Sequence, residues 1–362
     1  MRTALTELLG IDRPIVLAPM AGGPVTPALA AAVSNAGGLG GLGLAYHEPA
    51  AIRQAVAETR ALTNRPFAVN LFAPETAAPS AEGFAAASAA LAPYRQRLGV
   101  AAPEKPSSPL PDFEAQLAAV IAAKPAVFSF TFNVLPEGAV SALHDAGIVV
   151  IGTATTVREA RILMASGVDA VVAQGSEAGG HRGTFNRGPA DDPADTLIGT
   201  MALVPQIAAA VDVPVIAAGG IMDGRGIAAA LALGADGVQM GTAFLATAEA
   251  GTSQAHRAAL AAATDDATAL TRVFTGRRAR ALRTRFVTDM EQSGATILPF
   301  PLQSSLTMPL RAAALAAGSQ EFSAFFAGQG AALHRTLPAA ELIERLIREY
   351  AEARQSLPPV GR

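Results

Sequence analysis

Apolar runs of five to eight residues recur along the chain, and many follow an alanine-rich stretch that ends in glycine. "VSNAGGLGGLG", "LHDAGIVVIGTA", "MASGVDAVVAQG" and "LALGADGVQMGT" share this pattern. A glycine directly behind the last helical residue fits the left-handed C′ position. The apolar run that follows reads as a strand buried on both faces. Thr156-Val-Arg-Glu159 has the form of a capping box, and Asp223 reads as an N-cap. Eight strands are predicted: Ile15–Met20, Gly38–Gly43, Phe67–Phe72, Ala126–Phe132, Val149–Thr153, Ala170–Gln174, Val213–Ala218 and Gly237–Phe244. Strands that alternate with helices imply a parallel sheet. Eight of them favour an α/β fold of the (β/α)8 TIM-barrel type, with an open doubly wound sheet as the alternative.

Two excursions break the rhythm. Ala73–Lys124 is longer than one helix requires and holds the proline-rich "APEKPSSPLPDF". Over a hundred residues follow Phe244, and they end in "AAELIERLIREYAEAR". In that segment Leu342, Ile343, Leu346, Ile347 and Tyr350 share one helix face, with Glu341–Arg345 and Glu344–Arg348 pairs expected on the other. Read as the barrel's eighth helix, it implies that residues 1–244 and about 337–362 form the barrel. Residues from about 245 to 336 then form a smaller, mainly helical substrate domain over the C-terminal strand ends, where barrel sites lie.

Composition narrows the class. The chain of 362 residues is 51% hydrophobic and 16% charged, with a net charge of −3. That balance argues against nucleic acid or an anionic membrane surface as the main partner. The absence of cysteine excludes disulfides, thiolate metal sites and cysteine nucleophiles. There is no apolar signal-peptide core at the N-terminus and no uncharged membrane-length stretch, so a soluble, cytoplasmic protein is expected.

The predicted strand ends carry the candidate chemistry. Ala18, Met20, Ala21 and Gly22 end the first strand, and Asn70 lies in the third. Gln174 opens "QGSEAGGHRGTF" after the sixth, a loop with Gly179, Gly180 and His181. Gly219 and Gly220 follow the seventh, and Gln239, Met240, Gly241 and Thr242 lie in the eighth. Glycines behind strands seven and eight let backbone N–H groups approach an anion, and barrels commonly hold phosphate there. Asn70, Gln174 and Gln239 carry amides that both donate and accept, as the polar edge of a heterocycle requires. Each glycine pair alone could equally make a tight turn. Together they point to a phosphorylated cofactor.

These segments resemble the nitronate monooxygenases, formerly called 2-nitropropane dioxygenases. "PIVLAPMAGGPVTPALAAAVSNAGGLGGLG", "FAVNLF", "QGSEAGGHRGTF", "VPVIAAGGIMDGRGIAAALALGADGVQMGT", "FTGRRARAL" and "AGQG" carry the resemblance over nearly the whole chain. It implies FMN at the mouth of a barrel, and oxidation of an alkyl nitronate by O2 to a carbonyl compound and nitrite. It further implies that Asn70, Gln174, Gly179, Gly220 and Gln239–Thr242 contact FMN, together with Ala18, Met20, Ala21, Gly22, Gly180 and Gly219. His181 matches the family's active-site histidine. As an N–H donor or imidazolium it would hold the nitronate oxygens; as a neutral base it would deprotonate a nitroalkane. Thr131 in "SFTFN" stands where relatives often carry histidine, and Phe300 where many have tyrosine; both are expected to face the substrate.

Other signals are set aside. Gly38–Gly43 matches GxGxxG, but helix precedes it and the glycines themselves read as strand, unlike a dinucleotide fingerprint. Six arginines between Arg272 and Arg285 read as a solvated helix face. Asp191 and Asp192 have no histidines placed to complete a metal site. The competing function is an FMN-dependent NAD(P)H oxidoreductase of the quinone or enoyl-acyl-carrier-protein reductase type. A flavin-binding barrel without turnover is a further alternative. A phosphosugar isomerase would need a carboxylate base, for which Glu177 is the nearby candidate.

Overall fold

The computed structural model describes residues 1–75, 80–105, 107–185 and 197–356. All eight apolar runs form strands: Ile15–Leu17, Gly40–Gly43, Phe67–Phe72, Val127–Thr131, Val149–Ala154, Ala170–Gln174, Val215–Ala218 and Gly237–Met240. They are numbered one to eight below. Each is parallel to its neighbours, and strand one pairs with strand eight. Leu17 N–H donates to the Leu39 carbonyl and Leu39 N–H to that of Ile15, both at 2.9 Å. These bonds join strands one and two and close the sheet, so the fold is a (β/α)8 barrel and not an open sheet. Strand eight is shorter than expected because Gly241, at φ −110° and ψ −65°, leaves the extended conformation and starts the 3₁₀ turn Thr242–Phe244.

Alternate residues along each strand face opposite layers. Val16, Leu39, Ala68, Val127, Val172 and Ile216 fill the lumen, where Leu5, Leu9 and Ile11 of the N-terminal segment plug one end. Ile15, Leu17, Val69, Phe128, Val171 and Ala217 pack outward against the helices. The glycines that end the alanine-rich helices are left-handed as expected: Gly37, Gly147, Gly167 and Gly234 have φ of 86°, 77°, 90° and 98°. The GxGxxG run is a packing feature. A Cβ on Gly43 would lie 2.6 Å from the Ala21 nitrogen, and one on Gly40 would strike the Ala30 carbonyl. Asp223 caps its helix by accepting from Gly226 N–H at 2.9 Å. Thr156 accepts from Glu159 N–H at 3.2 Å, but the Glu159 carboxylate turns to Thr155 N–H at 2.6 Å, so the capping box is half formed.

The helix Ala339–Ser356 packs between Gly224–Ala232 and Pro27–Asn35. Its expected ion pairs are replaced among the described residues by Glu349 bonded to Arg345 at 3.0 Å and Arg335 at 2.9 Å. Between strand eight and this helix lie the helices Gln254–Ala261, Arg285–Gln292 and Leu302–Ala316, with strands Thr268–Thr271 and Ala279–Leu282. The second of those strands pairs antiparallel with the first and with Gly180–His181. A second apolar core joins Phe274, Phe286, Leu306 and Phe322 to Ala87 and Leu91. The helices Ala81–Ala90 and Ala92–Leu98 of the first excursion therefore pack against the later segment. No helix among the described residues is long and apolar enough to cross a membrane.

Candidate active site

A cavity of about 620 Å³ opens at the C-terminal strand ends. That size suits a small-molecule or cofactor site, for which roughly 300–1,000 Å³ is usual. Strand one supplies Ala18, Met20, Ala21 and Gly22 to its wall, and strand three supplies Asn70. Gln174, Gly179, Gly180 and His181 line it, as do Gly219 and Gly220, and then Gln239, Gly241 and Thr242. Thr131 lines it too. Two expected residues do not. Met240 alternates with Gln239, so its side chain joins the layer between sheet and helices. Phe300, only 6% exposed, packs behind the histidine and not against the cavity.

The glycine-rich end of the cavity is built from bare backbone. Gly180, Gly219 and Gly220 have φ of 73°, 113° and 74°, a region that a side chain disfavours. A Cβ on Gly179 would lie 2.5 Å from the Gly328 nitrogen. Among the described residues, the amide N–H groups of Gly179, Gly219 and Gly220 have no acceptor. Gly179 and Gly219 are half-buried and Gly220 is exposed, so their amides open onto the cavity as donors free to receive an anion. Asn70 donates to Ser129 Oγ at 3.0 Å, and its carbonyl oxygen and the Gln239 amide have no other side-chain bond among the described residues. Gln174 lines the cavity and also clamps the histidine loop. Its Nε2 donates to the His181 carbonyl at 3.0 Å and its Oε1 accepts from Gly183 N–H at 2.7 Å.

That clamp is one of several on the histidine loop. The Glu159 carboxylate, fully buried, accepts from Phe185 N–H at 2.7 Å. Arg182 donates back to the Gln174 carbonyl. Arg277 donates to the carbonyls of Arg182, at 3.0 Å, and Thr184, and forms a two-pronged pair with Glu75 at 2.6 and 2.7 Å. Arg280 donates to the Ser176 carbonyl at 2.9 Å. The expected solvated helix face fails for Arg277 and Arg280, whereas Arg272, Arg283 and Arg285 are exposed as expected. Arg277 and Arg280 are 6% and 7% exposed, and the segment is strand and turn, because loop carbonyls from residues 176–184 need these donors. Glu177 is likewise structural: it accepts from Thr200 N–H and Oγ1 at 2.9 Å, so it is no free base. Asp191 and Asp192 lie outside the described residues.

His181 sits among Phe72, Phe132, Phe300 and Phe326, with ring centroids 5.5–6.0 Å away. Phe132 holds a left-handed φ of 89°, a strained conformation that brings its ring to the imidazole. Burial among these rings, then the charges of Arg277 and Arg311, push the imidazole pKa down from 6.5 to about 3. The side chain is therefore neutral near pH 7. Its Nε2 lies 2.9 Å from Thr275 Oγ1, and that hydroxyl also lies 3.3 Å from the Arg277 carbonyl. Thr275 has one proton for two acceptors. Given to Nε2, it leaves Nδ1–H as a donor; given to the carbonyl, it leaves Nδ1 as a base. Among the described residues, Nδ1 has no partner.

Sequence reading missed Thr275, Tyr46, His256 and Arg311, which also line the cavity. Only Tyr46 follows a barrel strand closely; the others sit where chain order says nothing about the site.

A closed barrel with an anion cradle behind strands six and seven, amides at its mouth and a caged neutral histidine defines a cofactor-dependent barrel enzyme. Residues 2–349 match the family model described as nitronate monooxygenase. The chain is 46% identical to a nitronate monooxygenase of Pseudomonas aeruginosa, over 96% of this chain and 99% of that one. Its fold matches the nitroalkane oxidase from Streptomyces ansochromogenes with a TM-score of 0.89 at 43% identity, over 98% and 100% of the two chains. FabK from Thermotoga maritima is more distant, with a TM-score of 0.75 at 32% identity over 99% and 98%. The chain belongs to the nitronate monooxygenase family, and that membership makes it an oxidoreductase with a flavin cofactor.

Proposed function

We propose that the chain oxidises alkyl nitronates, with FMN as the flavin and O2 as the co-substrate, to a carbonyl compound and nitrite. The observation that carries the reading is the neutral, caged His181 beside an anion cradle in one cavity. The unpaired amides of Gly179, Gly219 and Gly220 suit a terminal phosphate, which favours FMN. Asn70 and Gln239 hold the ring's polar edge, while Ala18, Met20, Ala21, Gly22, Gly180, Gly241 and Thr242 shape the walls around it. Bound there, the flavin supplies the electron acceptor for the nitronate and the site of reoxidation.

An imidazole with a pKa of about 3 is a poor base for a carbon acid. The preformed nitronate is therefore the better substrate, and His181 serves it as a neutral Nδ1–H donor while Thr275 donates to Nε2. Thr131 and the aromatic cage bound the substrate's space; Phe300 acts through the position of His181. The division of labour is a barrel of residues 1–244 and 337–356 holding the flavin. The segment 245–336 covers the substrate, and Ala81–Leu98 packs with it. The test is denaturation of the yellow protein followed by chromatography of the released flavin, with nitronate turnover measured on the same preparation. Release of FAD, or a colourless protein that FMN does not reconstitute, rejects the cofactor assignment.

A further inference from the structure

The helix Leu302–Ala316 turns one face to the cavity, carrying Ser304, Met308, Arg311, Ala312 and Leu315. Among the described residues lining the cavity, Arg311 is the only cationic side chain, taking the histidines as neutral. Among the described residues it has no carboxylate and no hydrogen-bond partner; its recorded neighbours are aromatic, with Phe274 5.8 Å from the guanidinium. The other arginines near the site are committed: Arg277 to Glu75 and two carbonyls, Arg280 to Ser176. Burial lowers the pKa of Arg311, yet a guanidinium keeps its charge under such shifts. Arg311 is half-buried against the cavity, where a bound anion would supply the counter-ion that the described residues do not.

A second donor faces the same space. The Tyr46 hydroxyl has no partner among the described residues, and burial raises its pKa, so it stays protonated. Tyr46 and Arg311 both line this cavity. Ser304 Oγ, one helical turn pair before Arg311, is buried without a partner. His181 lines the same cavity, so the cation and the neutral imidazole border one volume.

We infer that Arg311, assisted by the Tyr46 hydroxyl, anchors the oxygens of the nitronate group and makes the site select the ionised substrate over its neutral nitroalkane. The inference rests on the proposed nitronate oxidation and adds the residue that recognises the charge. It assigns the two groups complementary parts. Arg311 supplies the positive charge that His181, held neutral, cannot. Met308 and Leu315, 43% and 58% exposed, are apolar neighbours of Arg311 on the same helix face.

The experiment compares wild type with Arg311→Met, Arg311→Lys and Tyr46→Phe, all loaded with flavin and matched for flavin content. Each is assayed with propyl nitronate and with neutral 1-nitropropane. Nitrate, planar and anionic like the nitronate head, is titrated against the flavin absorbance of the resting protein. A hydrogen-bonded charge contributes enough for Arg311→Met to lower kcat/KM for the nitronate by ~10–100-fold, chiefly through KM. The nitroalkane value changes by less than about 3-fold, nitrate binding weakens in parallel, and Arg311→Lys recovers part of both. Nitronate kinetics and nitrate affinity equal to wild type in a flavin-replete Arg311→Met protein overturn the inference. If Arg311→Met does not fold, the same two measurements on Arg311→Lys and Tyr46→Phe decide, and no change in either variant overturns it. Nitrate binding that depends on Arg311 in a protein that does not turn over nitronates leaves the anchor standing and removes the proposed reaction. Nitronate turnover indifferent to Arg311 does the reverse.

Discussion

Lowering the pH probes His181 without changing a residue. An imidazole with its ordinary pKa of about 6.5 is roughly 97% protonated at pH 5, whereas one with a pKa of about 3 is roughly 1% protonated. The neutral donor is thus present throughout, and kcat/KM for a preformed nitronate should show no histidine limb from about pH 8 down to about pH 5. Stopped-flow mixing from an alkaline nitronate stock, followed by flavin absorbance, makes the measurement before the substrate reprotonates on carbon. Stability carries the same signature. Because the folded pKa lies below the unfolded one, the unfolded chain binds the extra proton between them. Stability is complete above about pH 6.5 and falls toward pH 3, by about 5 kcal/mol for a shift of this size. His256, lowered from 6.5 to about 4, adds a loss of the same sign, so the comparison is with His181→Asn, which retains His256. The variant should lose less stability than wild type over that window. A wild-type limb with an apparent pKa near 6–7 that vanishes in His181→Asn would refute the neutral cage.

Other perturbations follow from the loop and the barrel. Arg277→Met removes the Glu75 pair and two carbonyl donors, and should cost about 3–5 kcal/mol in urea unfolding, with the histidine loop more open to proteolysis. Thr275→Val removes the hydroxyl that sets the His181 tautomer; nitronate kcat/KM should fall about 3–10-fold with flavin content unchanged. Gly43→Ala sets a Cβ 2.6 Å from the Ala21 nitrogen, and should lower stability by about 1–3 kcal/mol and displace the Met20–Gly22 wall, read as weaker flavin retention.

The barrel was legible because its signals are local. Each strand is a short apolar run behind a helix-ending glycine, and chain order alone puts Gln174, Gly219 and Gln239 at strand ends that meet in space. The glycines of the cradle were legible for the same reason. What stayed hidden depends on distant partners. Arg277 and Arg280 look like solvated charge until the carbonyls of residues 176–184 are seen to need donors. Nothing in chain order shows that the Gln174 amide also holds the His181 carbonyl and Gly183 N–H. Along strand eight Met240 alternates with Gln239, so its side chain lies in the layer between sheet and helices. Phe300 was expected at the substrate, and its place behind His181 follows from a packing of four rings drawn from four separate segments. Arg311 lies on a helix whose cavity-facing side no periodicity distinguishes, since Met308, Ala312 and Leu315 share it with the cation.

The central claim is that this site oxidises nitronates through its flavin. Anaerobic mixing of the purified, flavin-loaded protein with propyl nitronate, and separately with NADH, tests it most directly. The account predicts that the nitronate rapidly changes the flavin spectrum, that admitted oxygen restores it with release of nitrite, and that NADH acts slowly or not at all. Rapid bleaching by NADH with no response to the nitronate would contradict it and identify a pyridine-nucleotide-dependent reductase instead.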